Sequence, residues 1–302
     1  MAKRYELPIT PAEPLGHNGK GKNMRVWFIT GASRGFGARI AEEALAAGDA
    51  VVATARDPAT ITGRLGSHER LLATRLDVTD EAEAHRAAGL AVKKFGRIDV
   101  LVNNAGYGLL GAIEEASAEE TAKLFGTNVF GLLGVTRAVL PHMRRQHSGH
   151  IINLSSVGGY SGYPGWGVYG ATKFAVEGIS EALAGEVAPL GIHVTVVEPG
   201  FFRTDFLDET SLARTAQQID DYRDTVGKTR AHAADVNHGQ RGDPRKLAKA
   251  FMQLVNSENP PTRLPLGSDT VERIESKNAH VAQELAAWRN VATSTDWTAE
   301  TV

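Results

Sequence analysis

The stretch Val26-Trp27-Phe28-Ile29-Thr30-Gly31-Ala32-Ser33-Arg34-Gly35-Phe36-Gly37 sets a short apolar run directly against a glycine cluster. A run that is apolar on both faces suits a strand inside a covered sheet. The glycines that follow allow a tight strand-to-helix turn and a close backbone approach, so that amides at the start of the next helix can hold a pyrophosphate. Glycines alone serve turn packing equally well. Here they follow an expected strand and open an expected helix, which is the context in which such a turn binds a dinucleotide.

Outward from this turn the chain alternates short β-branched runs with longer helical ones, the pattern of repeated βαβ units around a mostly parallel sheet. Strands are expected at 26–30, 50–55, 71–76, 100–103, 150–154 and 193–197, and helices at 38–47, 80–95, 118–145 and 168–189. The expected fold is therefore α/β, a Rossmann-like doubly wound parallel sheet in a single domain spanning 24–290. After Pro199 the regularity fails. Residues 201–242 are polar and poorly periodic apart from a helical stretch near 212–223, and an irregular segment of that length reads as a substrate-lid insertion. A helix at 244–255, a strand at 263–266 and an amphipathic helix at 269–288 follow, and 291–302 form a C-terminal tail.

The chain has 302 residues, 42% hydrophobic and 23% charged, with a formal net charge of −2. Such a balance provides no strong field for nucleic acid or anionic lipid. There are no cysteines, which excludes thiolate nucleophiles, thiolate metal sites and disulfides. The ten histidines show no ligand spacing, so no metal is expected. No run reaches the ~18 apolar residues of a membrane span. Residues 1–23, rich in proline and glycine, read as an extended N-terminal tail without an apolar export core, so a cytoplasmic location is expected. The long helix at 118–145 suggests a subunit interface, hence a homodimer or homotetramer.

The chemistry is concentrated in Tyr169-Gly170-Ala171-Thr172-Lys173, with Ser156 thirteen residues upstream. Residues four apart project from one helix face, so phenol and ammonium can act on a shared ligand. A tyrosine titrates near pH 10, and lowering that by about three units takes roughly 4 kcal/mol of preference for the anion. A neighbouring ammonium and an oxidised nicotinamide would favour the phenolate. The pair alone is equally a helix surface motif.

The glycine turn has the spacing Thr-Gly-x-x-x-Gly-x-Gly, and further along stand Asp77-Val78, Asn103-Asn104-Ala105-Gly106, Asn128, Ser156, Tyr169 with Lys173, Pro199-Gly200 and Thr204. Together these resemble the short-chain dehydrogenase/reductase family, strongly over 25–204. The resemblance implies that Tyr169 is the general acid or base, that Lys173 stabilises its anion and bonds the nicotinamide ribose, and that Ser156 polarises the substrate carbonyl. It implies that Asn128 holds a water linking Lys173 to solvent. It places the cofactor on Gly31, Ser33, Arg34, Gly35, Phe36 and Gly37, on Asp77 and Val78 at the adenine, on Asn104, Ala105 and Gly106, and on Pro199, Gly200 and Thr204 at the nicotinamide.

The second expected strand ends in Ala55 followed by Arg56, where an acidic residue would accept from both ribose hydroxyls. A guanidinium there welcomes a 2′-phosphate instead. Arg34 supplies a second cation nearby, and the pair points to NADP(H). Asp57 argues mildly against this unless it caps the next turn. The reading is an NADP(H)-dependent oxidoreductase acting on a small ketone, aldehyde or secondary alcohol. Its substrate walls are expected from Tyr107, Leu109, Leu110, residues 157–167, Phe201, Phe202 and Phe206, whose bias suits a largely apolar substrate. A catalytically idle NADP-binding regulator, and an epimerase or dehydratase using nicotinamide transiently, are the competing readings.

Overall fold

The computed structural model describes residues 24–297; the expected tail 1–23 and residues 298–302 lie outside them. In chain order the elements are β1 (Val26–Ile29), α1 (Gly35–Ala46), β2 (Ala50–Ala55), α2 (Ala59–Leu65), β3 (Leu71–Arg75), α3 (Glu81–Phe95), β4 (Val100–Asn103), β5 (Gly108–Leu110) and α4 (Ala118–Phe125). Then come α5 (Leu132–Gln146), β6 (Gly149–Leu154), α6 (Gly167–Val187), β7 (Ile192–Pro199), β8 (Leu212–Arg214), α7 (Lys228–Asp235), α8 (Pro244–Leu254), β9 (Arg263–Leu266) and α9 (Ser268–Thr293). Seven strands form one sheet in the order β3-β2-β1-β4-β6-β7-β9, and every pairing in it is parallel.

Period-two alternation in β1 explains the two layers of helices. Trp27 and Ile29 pack toward Ile40, Ala41, Leu247 and Phe251 of α1 and α8, while Val26 and Phe28 pack toward α3, α5 and α6. Trp27, Phe28 and Ile29 are wholly buried, and burying each such side chain contributes roughly 1.5–3 kcal/mol. The α3 stripe Ala84, Ala87, Ala88 and Ala91 is small enough to lie close on the sheet. Asp80 caps α3 by accepting from Ala82 N and Glu83 N, and Gly96 ends it at φ 80°.

The helix expected over 118–145 is present as Ala118–Gln146, with a π-turn inside it. A π-turn, Gly126–Gly131, separates α4 from α5. Asn128 in that turn accepts from Tyr107 N at 3.1 Å and donates to Tyr107 O at 2.9 Å, which re-aims the chain toward the strand ends. Gly131 permits the approach, since a Cβ there would stand 2.8 Å from Val78 Cγ2. Among the described residues this run, Ala118–Gln146, has the length and apolarity of a membrane span, but more than half of its most apolar stretch is buried, as in a core helix.

The lid differs most from expectation. Of the stretch expected as helix near 212–223, only the end is helical: β8 pairs in parallel with β5, Gly108 opposite Leu212, and a 3-10 turn (Asp220–Tyr222) and a π-turn (Arg223–Gly227) then lead into α7. Both β5 and α2 lack a signal in the sequence, being only a few residues long. Gly108 and Gly111 make the β5 contact possible, because a Cβ on either would collide with Leu212 or Thr215. The closing helix α9 extends to Thr293, past the expected end at 288 and into the segment expected as tail.

Candidate active site

The glycine turn is held open from behind. Thr30 Oγ1 accepts from Asn104 N at 2.9 Å and Ala105 N at 3.0 Å, while Asn104 Nδ2 donates to Thr30 O at 2.8 Å and Gly31 O at 3.1 Å. Gly37 must lack a side chain, since a Cβ would stand 2.6 Å from both Gly31 O and Asn104 Nδ2. No side chain caps the first amides of α1, so they remain available to an anion. Thr30 was part of the motif but not a site candidate; its hydroxyl couples β1 to β4.

A cleft of about 1090 Å³ runs from this turn across the carboxyl ends of the strands. It is lined by Gly31, Ser33, Arg34, Gly35, Phe36, Arg56, Asp77, Val78, Asn104, Ala105, Gly106, Ser156, Tyr169, Lys173, Pro199, Gly200 and Thr204. Of the sequence candidates, only Gly37 and Asn128 stand behind its wall. The expected substrate residues divide: Tyr107, Val157, Tyr163, Trp166, Phe201, Phe202 and Phe206 line the cleft, whereas Leu109 and Leu110 are buried beneath it. Leu109 packs on Leu124 and Tyr169, and Leu110 on Leu207 and Leu212, because β5 turns one side chain toward α4 and α6 and the other into the lid core. Lys228, Thr229 and His232 of α7 and Gln240 line it without any signal in the sequence.

Tyr169 sits in the first turn of α6, buried against Trp166 and Phe206 with ring centroids 5.6 and 5.7 Å away. Burial pushes its phenol up to about 12, opposed by the Ser156 hydroxyl. Lys173 lies one turn on, its Nζ donating to Leu154 O at 2.7 Å and standing 5.7 Å from the Tyr169 ring centroid. Burial pushes Lys173 down to about 8, opposed by the charge of Glu177. Burial by itself thus favours the phenol over the phenolate. The ammonium is spent on a carbonyl, and desolvation outweighs the side chains that would favour the phenolate. Ser156 Oγ accepts from Gly158 N at 3.1 Å, which opens a short turn at the end of β6.

The side chain of Asn128 acts as a clamp. Besides its two bonds to Tyr107, it donates to Thr172 Oγ1 at 3.2 Å, so its oxygen and amide group tie the β5 approach to α6 beside Lys173. Behind Lys173, Arg263 of β9 bonds Glu177, Glu198 at 3.0 Å and Glu181 at 3.0 Å. Burial raises the Glu177 carboxyl well above the ordinary carboxylate range.

At the adenosine end, Arg56 follows β2 and is exposed, and Asp57 Oδ1 accepts from Ala59 N at 3.0 Å, capping the next turn. Thr79 bonds Asp77 through its amide at 3.0 Å and its hydroxyl at 2.7 Å, which holds the Asp77 carboxyl below its usual range. Arg34 reaches across the cleft, and its Nη2 donates to Thr210 O of the lid at 2.5 Å. Gln240 Oε1 is buried and unpartnered among the described residues where it lines the cleft. Uncapped amides and an exposed guanidinium fit the phosphates of a dinucleotide, and the orphaned amide oxygen on the same cleft fits a ligand N–H or O–H.

The short chain dehydrogenase family model matches residues 25–215. An oxidoreductase of Botryotinia fuckeliana is 38% identical over 270 residues, 89% of this chain and 98% of the relative. A 3-ketodihydrosphingosine reductase of Bacteroides thetaiotaomicron is 40% identical over 243 residues, 80% of this chain and 88% of the relative. Among solved structures, a short-chain dehydrogenase from Streptomyces avermitilis superposes with a TM-score of 0.85 at 42% identity, covering 91% of this chain and all of that one. A serine dehydrogenase complexed with NADP+ gives 0.66 at 29% identity, covering 80% of this chain and 94% of that one. A 3-ketoacyl-(acyl-carrier-protein) reductase from Brucella melitensis complexed with NADH gives 0.66 at 29% identity, covering 80% and 96%.

Proposed function

This chain belongs to the short chain dehydrogenase family, a family of oxidoreductases, and we propose that within it the chain is an NADP(H)-dependent reductase or dehydrogenase of a largely apolar ketone, aldehyde or secondary alcohol. The observation that carries the reading is that Ser156, Tyr169 and Lys173 open onto the same cleft as the glycine turn.

Nicotinamide bound in that cleft supplies or accepts the hydride. The residues of the chain do the rest. The Ser156 hydroxyl is placed to donate to a substrate oxygen and polarise it. Tyr169, held as a phenol by its burial, is a proton donor toward that oxygen in reduction and the acceptor in the reverse direction. Lys173 carries a positive charge one turn away, at the depth where a ribose lies in this fold. Trp166, Phe206 and Tyr107 exclude water around the reacting carbon.

The preference for NADP(H) rests on Arg56, which follows the β2 terminus in place of a carboxylate, and on Arg34 as a second cation lining the same cleft. The apolar substrate rests on the aromatic wall, and two of the matched proteins are named as reductases of 3-keto compounds. The test is loss of NADPH absorbance with a panel of apolar ketones and aldehydes, for the wild type and Tyr169→Phe. Loss of a positioned general acid lowers kcat by about 10²–10⁴-fold. Full turnover in Tyr169→Phe would refute the assignment.

A further inference from the structure

The helix α9 leaves the body of the protein partway along its length. Its first turns are fastened. Thr270 Oγ1 donates to Leu266 O at 3.1 Å, Arg273 Nε donates to Ser161 Oγ at 2.9 Å, and the Tyr160 hydroxyl donates to Asn278 Oδ1 at 2.5 Å. Beyond Asn278 no hydrogen bond or ion pair joins α9 to the rest of the described chain, and every residue through Thr293 is exposed. At 1.5 Å per residue this is about 22 Å of helix in solvent. A helix of that length is marginal by itself in water, so its stability has to come from packing on something else.

What it displays is an apolar stripe. Val281, Leu285 and Trp288 are 45%, 54% and 66% exposed and spaced by four and three, so they lie on one face. Ile274, seven before Val281, and Ala292, four after Trp288, continue the same face. At 100° per residue, Lys277 and Glu284 flank the stripe on one side and Glu275 and Arg289 on the other.

We propose that the stripe is a self-association surface, on which α9 of a second copy of this chain packs antiparallel with the two helices centred near Ala282. The charges select this occupant and this register. Antiparallel helices meet flank to matching flank, so each Glu275 lies opposite the partner's Arg289, and each Lys277 lies within a turn of the partner's Glu284. All four contacts are between opposite charges, and the two-fold relation repeats each of them. Val281 of both copies sits at the centre, with Leu285 and Trp288 interleaved outward. The pairing keeps the two bodies at opposite ends, whereas a parallel pair would crowd them together. With both signs on its flanks, the face also lacks the basic bias of a membrane-surface helix.

The experiment is light-scattering mass measurement of the whole chain during size exclusion, with thermal melting to show that each variant is folded. The wild type is expected at twice the chain mass or more, and Leu285→Glu and Trp288→Glu each halve it. Glu275→Arg alone and Arg289→Glu alone each weaken association roughly tenfold, since each turns two attractive contacts repulsive. The double reversal Glu275→Arg/Arg289→Glu restores it. A monomeric wild type, an assembly indifferent to Leu285→Glu, or a double reversal that fails to restore would each overturn the proposal. The last outcome is the one a parallel pair gives. Flotation of the wild type with anionic lipid vesicles as a monomer would assign the stripe to a membrane instead.

Discussion

The Lys173 ammonium donates to the carbonyl of Leu154 at 2.7 Å, and so the last residue of β6 governs where the charge of α6 points. Ser156 stands two residues beyond that carbonyl. One strand end therefore positions both the Ser156 hydroxyl and the cation near the phenol.

The first consequence concerns pH. For carbonyl reduction, kcat/KM follows the free enzyme, in which Tyr169 stays a phenol up to about 12 and Lys173 loses its proton near 8. The required forms are phenol and ammonium, so the rate is expected to be level below pH 7 and to fall as pH rises through about 8. Glu177→Gln removes the carboxylate whose charge opposes the lowering of Lys173, so the falling limb moves to lower pH. A limb that stays in place in Glu177→Gln would show that Lys173 does not feel that carboxylate.

Arg56 bears on cofactor choice. Its guanidinium follows the β2 terminus on the cleft wall, and a charge-assisted hydrogen bond from it to a 2′-phosphate would contribute about 1.5–3 kcal/mol. Arg56→Ala is expected to weaken NADPH binding by roughly tenfold or more while changing NADH by less than about twofold. Titration of intrinsic fluorescence with each cofactor measures this, and equal losses would remove the argument for NADP(H).

Arg34 should behave differently from Arg56, because its Nη2 fastens the glycine turn to Thr210 of the lid at 2.5 Å. Arg34→Ala is expected to weaken NADPH binding and also to make the lid more open to protease. Limited trypsin digestion, followed by mass spectrometry of cuts within 201–242, separates the two effects. Unchanged cutting would mean that this bond does not restrain the lid.

Glu115 holds the lid from its other side. The carboxylate is buried, bonds Arg230 of α7, and accepts from Ala112 N at 2.7 Å and Ile219 N at 2.9 Å. Removing one partner of a buried pair costs roughly 3–5 kcal/mol. Glu115→Ala is expected to lower Tm by several degrees and to raise KM for substrate more than it lowers kcat. A variant with wild-type Tm and KM would show the anchor to be dispensable.

Much of the fold was legible because its signals are local. The glycine turn and the β-branched runs act within a few residues, and parallel βαβ connectivity follows from their order. The π-turn within the 118–145 helix was not legible, because it is tied to the bond of Asn128 with Tyr107, twenty-one residues away in sequence. The β5–β8 ladder escaped notice for a related reason. It is three residues long, and it depends on Gly108 and Gly111 leaving room for residues a hundred positions later.

Residue identity and spacing were enough to place Ser156, Tyr169 and Lys173 beside a phosphate turn, because a helix face and a strand end follow from backbone geometry alone. The state of those groups was decided by tertiary structure. Burial raised Tyr169 and lowered Lys173, Leu154 took the ammonium, Thr210 took Arg34, and Asn128 became a clamp. The physical reason is that desolvation and long-range hydrogen bonding depend on what surrounds a group in space, and a spacing of four in the chain carries no record of that.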